Sequence, residues 1–197
     1  MGRPVQSTGR YAKSVEMIFN YEYFNVESLK QKIMKRTLFM DFSVEKENSK
    51  IKVKREFAAP LEKVWSAWTE SELLDQWWAP KPWKAKTKSM DFNVGGFWLY
   101  TMTGPDGTEI WSKADYISID PRKNFKGLDA FCDSEGVVNP EFPRSEWSVS
   151  FSASGDSTFV NIETKYEKLA DLEAIIKMGF KEGFTMALEN LDDLLDQ

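Results

Sequence analysis

The sequence contains no histidine. That absence removes the Ser-His-Asp and Cys-His arrangements of nucleophilic catalysis, along with any His-ligated metal. It has a single cysteine, Cys132, so no internal disulfide forms, and no apolar run has the length or flanks of a signal peptide or membrane span. These shortages point to a reducing, cytoplasmic setting and to a chain that works without a metal or other cofactor. One sign of charge is also short over most of the chain. The net charge of -5 is split, with +4 on residues 1–38 and the remaining -9 on residues 39–197. So acidic a main region argues against a nucleic-acid or membrane partner.

What is present is apolar and aromatic. Eight Trp and fourteen Phe supply a large core for one domain with an appendage. Leu172, Ile176, Gly179 or Phe180, Gly183, Ala187, Leu191 and Leu194 recur at helical spacing, so residues 169–195 read as one helix roughly 40 Å long. A helix of that length needs a broad partner, and the residues before it read as strands. Ile51, Val53 and Phe57 alternate with charged neighbours. After Ala59-Pro60, the positions Leu61, Val64, Trp65 and Trp68 mark a short helix, and Thr69 with Glu72 has the spacing of a capping box that starts a second. Strands follow over 85–90, 97–102, 108–119 and 125–131, then a loop over 132–144, then a hairpin turning at Gly155-Asp156. The expected fold is α+β: a curved antiparallel sheet wrapped around a long C-terminal helix, with two short helices after the first strand. Residues 48–197 form that domain. Residues 1–47 read as a basic arm, helical or disordered, or as an upstream start with the domain beginning near Met40.

Several separated motifs now combine: Ala59-Pro60 with Val64-Trp65 and Ala67, Trp77-Trp78-Ala79-Pro80, Val94-Gly95-Gly96, Gly104-Pro105-Asp106-Gly107, Ile119-Asp120-Pro121, and Gly183-Phe184 with Leu188 and Leu191. In order and spacing they resemble the activator of heat-shock protein 90 ATPase homologue family, within the START-like (SRPBCC, Bet v 1-like) helix-grip superfamily, over residues 50–195. The resemblance implies a β-α-α-β-β-β-β-β-β-α domain, matching the order read from periodicity. Such sequences often carry Gly, then Glu four residues later, before the Ile-Asp-Pro turn; here Ala114 and Ser118 stand instead.

Three function classes remain. The first is a cavity for a small apolar or aromatic molecule between sheet and helix, with Trp98, Tyr100, Met178, Gly179, Gly183 and Phe184 as its lining. Gly179 and Gly183 each cost about 1 kcal/mol in a helix relative to Ala, which either close helix-sheet packing or space for a ligand would justify. The second is a protein-interaction domain, with a chaperone as the partner the resemblance implies. The third is an enzyme of cyclase or hydrolase type, which needs convergent acid and base groups. Glu109, Lys113, Asp115 and Tyr116 are its candidates, but the inward parity of their strand is open, and charges on strands are ordinarily solvated. Trp77-Trp78 reads either as a seal of the helix corner or as a ligand-facing wall. Cys132, beside Asp133 and without a His, reads as an inert thiol.

Overall fold

Alternating apolar and polar side chains build a single sheet. The computed structural model describes residues 38–197, where the strands are β1 (Met40–Glu45), β2 (Lys50–Phe57), β3 (Lys84–Met90), β4 (Phe97–Thr103), β5 (Glu109–Asp120), β6 (Asn124–Phe131), β7 (Ser145–Ser154) and β8 (Ser157–Tyr166). Every neighbouring pair is antiparallel, in the spatial order β1-β2-β8-β7-β6-β5-β4-β3. Helices α1 (Leu61–Thr69) and α2 (Ser71–Trp77) carry the chain from β2 to β3 at the far edge, and a meander then returns β8 to the side of β2. The α+β helix-grip architecture expected from the sequence is the one observed. Among the described residues no helix is long and apolar enough to cross a membrane.

The core lies between one face of the sheet and the helices. Ile51, Val53, Phe57, Val149, Val160 and Ile162 pack with Leu172, Leu188 and Leu191 of the C-terminal segment. Burying a side chain of this size stabilises by about 1.5–3 kcal/mol. α4 (Phe180–Leu195) is further tied down by polar contacts. Asp192 pairs with Arg55 of β2, and both are buried; Asn190 Nδ2 donates to the Ala79 carbonyl at 3.0 Å; Lys63 Nζ donates to the Leu195 carbonyl at 2.7 Å.

The C-terminal segment is two helices rather than one. α3 (Leu169–Lys177) ends at Gly179, whose φ of +88° is open to glycine and strained for other residues, and α4 begins at the next residue. The Met178 N–H bonds back to Ala174 and the Gly179 N–H to Ile176, closing α3, while the Gly183 N–H bonds to the Gly179 carbonyl and opens α4.

Two local readings also change. Thr69 does not cap α2; its hydroxyl donates to the Trp65 carbonyl within α1, and Glu70 stands at the α2 N-cap position with no side-chain cap bond. The boundary expected between residues 47 and 48 falls inside a hairpin, since β1 pairs with β2 from Met40 opposite Arg55 to Glu45 opposite Lys50. β1 is an edge strand whose Met40 and Phe42 are only half-buried, so its alternation is weak. The rest of the expected basic arm, residues 1–37, lies outside the described residues.

Candidate functional site

Register decides which side chains meet under the helices. β5 carries a bulge between Tyr116 and Ser118. Ahead of it Ser112, Ala114 and Tyr116 face the core; the extra residue Ile117 is exposed, and Ile119 returns inward. Lys113 and Asp115 therefore belong to the other face. On β6 the inward positions are Phe125, Gly127, Asp129 and Phe131, with Asp129 opposite Ala114 on one side and Ser145 on the other. Tyr100 stands opposite Ser112, and Ser145 opposite Tyr166. A row of polar groups thus crosses β4 to β8.

That row forms one wall of a cavity of about 210 Å³ between the sheet, α3 and α4. Tyr100, Ser112, Asp129, Ser145 and Tyr166 all line it, facing Ile175, Phe180, Gly183, Phe184 and Ala187 of the helices. Pro143, from the 132–144 loop, completes the rim. A smaller cavity of about 40 Å³ adjoins it and shares Trp78, Asp129 and Trp147. The remaining walls are rings in edge and tilted contact: Trp78 lies 5.8 Å from Trp147, and Trp147 5.5 Å from Phe184. Trp98 stacks on Tyr100 at 3.9 Å. The Trp77-Trp78 pair divides its roles. Trp77 is fully buried and donates its indole N–H to the Ala67 carbonyl, sealing the α1-α2 corner, while Trp78 faces both cavities.

Of the residues expected at a site, Tyr100, Gly183 and Phe184 line the larger cavity and Trp98 the smaller. Met178 and Gly179 line neither. The turn that ends α3 leaves Met178 60% exposed. Glu109 is exposed at the start of β5. Tyr116 is buried and lines the smaller cavity. Asp115 accepts bonds from Lys113 at 2.9 Å and Arg144 at 2.6 Å. Burial pushes its carboxyl up, but these two partners outweigh that and hold it below the ordinary aspartate range. Burial, with Asp133 and Asp129 nearby, pushes the Cys132 thiol up to about 11, which suits an inert thiol.

Asp129, Trp147, Tyr166, Ser112 and Ser145 were not singled out from the sequence. A signal did exist for Asp129, an acid on the apolar parity of Phe125 and Phe131. It is half-buried, and burial among the rings pushes its carboxyl up to about 7, against a smaller opposing effect of Arg144. No hydrogen bond from the described residues reaches it. Burial also raises the Tyr100 hydroxyl well above the usual phenol range and pushes Tyr166 up to about 12. Both stay protonated near neutrality. Ser112 and Trp78 lie within hydrogen-bond reach of the Tyr100 hydroxyl, and the Trp147 indole N–H donates to Ser145 Oγ at 3.1 Å. The arrangement offers an apolar enclosure with donors, acceptors and one carboxyl on a single wall.

Solved structures share this architecture. A protein from Arthrobacter aurescens is 28% identical, with a TM-score of 0.76 over 79% of this chain and 91% of that one. A protein from Mycobacterium smegmatis is 26% identical, with a TM-score of 0.74 over 80% and 96%. One from Staphylococcus epidermidis is 27% identical, with a TM-score of 0.70 over 79% and 94%. No curated protein matches the sequence. The family model described as Activator of Hsp90 ATPase homolog 1-like protein matches residues 58–196, from the end of β2 to the end of α4. The chain belongs to the family of Activator of Hsp90 ATPase homolog 1-like proteins.

Proposed function

We propose that the chain binds a small apolar or aromatic molecule in the cavity between the sheet and α4. The observation that carries this reading is the row Tyr100, Ser112, Asp129, Ser145 and Tyr166 on one wall of an otherwise apolar space. Apolar enclosures with a few placed polar groups are what ligands occupy. Size narrows the occupant. About 210 Å³ exceeds the roughly 150 Å³ that admits benzene but falls below the roughly 300–1,000 Å³ usual for larger ligands. One ring with short substituents fits. A cytoplasmic location accompanies the reading.

Gly183 supplies the test. A Cβ there would meet only Pro80 Cγ, at 3.8 Å, so a larger side chain enters cavity space rather than packed core. A ligand screen read by Trp fluorescence, paired with thermal melts of Gly183→Phe, is the experiment. Binding by the parent, lost in a variant that still melts cooperatively, supports the reading. Loss of stability beyond ~3 kcal/mol with no ligand for the parent counts against it.

The family description favours a chaperone-associated interaction as the second reading. It differs in that Gly183→Phe would leave partner capture unchanged. The cyclase or hydrolase reading has less behind it. With Tyr100 and Tyr166 held protonated, Asp129 is the group near neutrality on this wall, and an acid without a matching base gives poor proton transfer in both directions.

A further inference from the structure

Asp129 is the one charged side chain lining either cavity among the described residues. Neither lining includes a Lys or Arg. Arg144, the cation that acts on Asp129, lies outside both linings, and one of its guanidinium nitrogens donates to Asp115 Oδ2 at 2.6 Å and to the Leu128 carbonyl at 3.0 Å. Asp129 is half-buried on the cavity wall, and its carboxyl accepts no hydrogen bond from the described residues. A half-buried carboxyl on a cavity wall is ordinarily met there by water or a ligand. Around it stand aromatic rings, with Trp78 and Trp147 common to both cavities. Ring faces carry negative potential and attract cations, Trp most strongly.

These features agree in sign. An anion entering the cavity would meet the Asp129 carboxylate with no counter-charge in the lining. A neutral apolar molecule would fill the space and leave the carboxyl unpaired. A cation would pair with the carboxylate and lie among the aromatic side chains of the lining. We infer that the cavity selects a small organic ammonium ion, an alkylamine or arylalkylamine, with its charged head between the Asp129 carboxylate and the rings of Trp78 and Trp147. The inference rests on the binding reading above and names its ligand class.

The other groups facing Asp129 fit this assignment. Tyr100 on β4 and Tyr166 on β8 stay protonated and offer hydroxyls, and the Cys132 thiol beyond β6 is neutral. Asp115 and Arg144 act on Asp129 with opposite signs and are paired with each other. The head group therefore meets one acid and no competing base.

Three probes of nearly the same size separate the outcomes: benzylammonium, benzyl alcohol and benzoate, titrated calorimetrically into the full chain at pH 8. The expected order is benzylammonium tighter than benzyl alcohol by about tenfold or more, with benzoate not bound. Asp129→Asn, which keeps the shape, should abolish that preference. If benzyl alcohol or benzoate binds the parent as tightly as benzylammonium, the ammonium assignment is overturned while the binding reading stands. If none of the three binds, both are overturned.

Discussion

Asp129 on β6 stands directly across from Ser145 on β7, and the two line the same cavity wall. Burial pushes the Asp129 carboxyl up to about 7, so between the ordinary aspartate value and that pH the folded state holds a proton that the unfolded state has released. Stability from this group is full at low pH and is lost as pH rises through about 7. Asp129→Asn should therefore stabilise the ligand-free protein by roughly 2–4 kcal/mol at pH 8 and by about half of that or less at pH 5. Urea melts at the two pH values check this. Equal effects at both would show that the carboxyl titrates as an ordinary aspartate.

The two glycines of the C-terminal segment should respond oppositely to alanine. Gly183 is helical with ordinary contact space for a Cβ, so Gly183→Ala gains up to about 1 kcal/mol of helix propensity. Gly179 has a φ of +88°, so Gly179→Ala costs about 1–2 kcal/mol by straining the junction of α3 and α4. Thermal melts of both variants decide it, and a shared sign would contradict the break.

The buried Arg55–Asp192 pair joins β2 to α4. Arg55→Leu alone breaks this buried pair from one side and should cost about 3–5 kcal/mol. The double variant Arg55→Leu with Asp192→Leu should be less destabilised than Arg55→Leu, because the buried carboxylate that faced Arg55 is removed as well. Denaturant unfolding of the parent, both single variants and the double measures the coupling, and additive losses would mean that the pair does not act as a unit.

The unit from Phe39 onward carries the whole eight-stranded sheet and its helices. A chain beginning at Leu38 should stay soluble and melt cooperatively. It keeps Phe39, whose carbonyl accepts the Glu56 N–H at 2.8 Å and whose ring sits 6.3 Å from Phe159. Calorimetry of the shortened chain checks this, and a lost transition would make residues 1–37 an integral part of the fold.

Much of the architecture was legible because alternation, turns and helical spacing agree. Ile51, Val53 and Phe57 show β2 at once, and Gly104 to Gly107 show the β4-β5 turn. The break at Gly179 was not legible, since a glycine at φ +88° and one inside a helix look alike in a list of apolar spacings. β1 was obscured by its place at the sheet edge. The site was partly legible. Tyr100, Gly183 and Phe184 follow from asking what lies between a curved sheet and its helix. Ser112, Ser145 and Tyr166 do not, because their meeting depends on cross-strand register that no single strand records. Parity on β5 was hidden by one extra residue, Ile117, which shifts every position after it.

The central claim is that a small aromatic molecule enters between the sheet and α4, and the indole N–H resonances of the eight Trp test it most directly. Trp78 and Trp147 line both cavities, while Trp83 and Trp111 line neither. Titrating a bound aromatic probe into labelled protein should shift the Trp78 and Trp147 indole signals in a saturable way and leave Trp83 and Trp111 in place. Shifts confined to Trp83 or Trp111, or none at saturation, would contradict a binding cavity under α4.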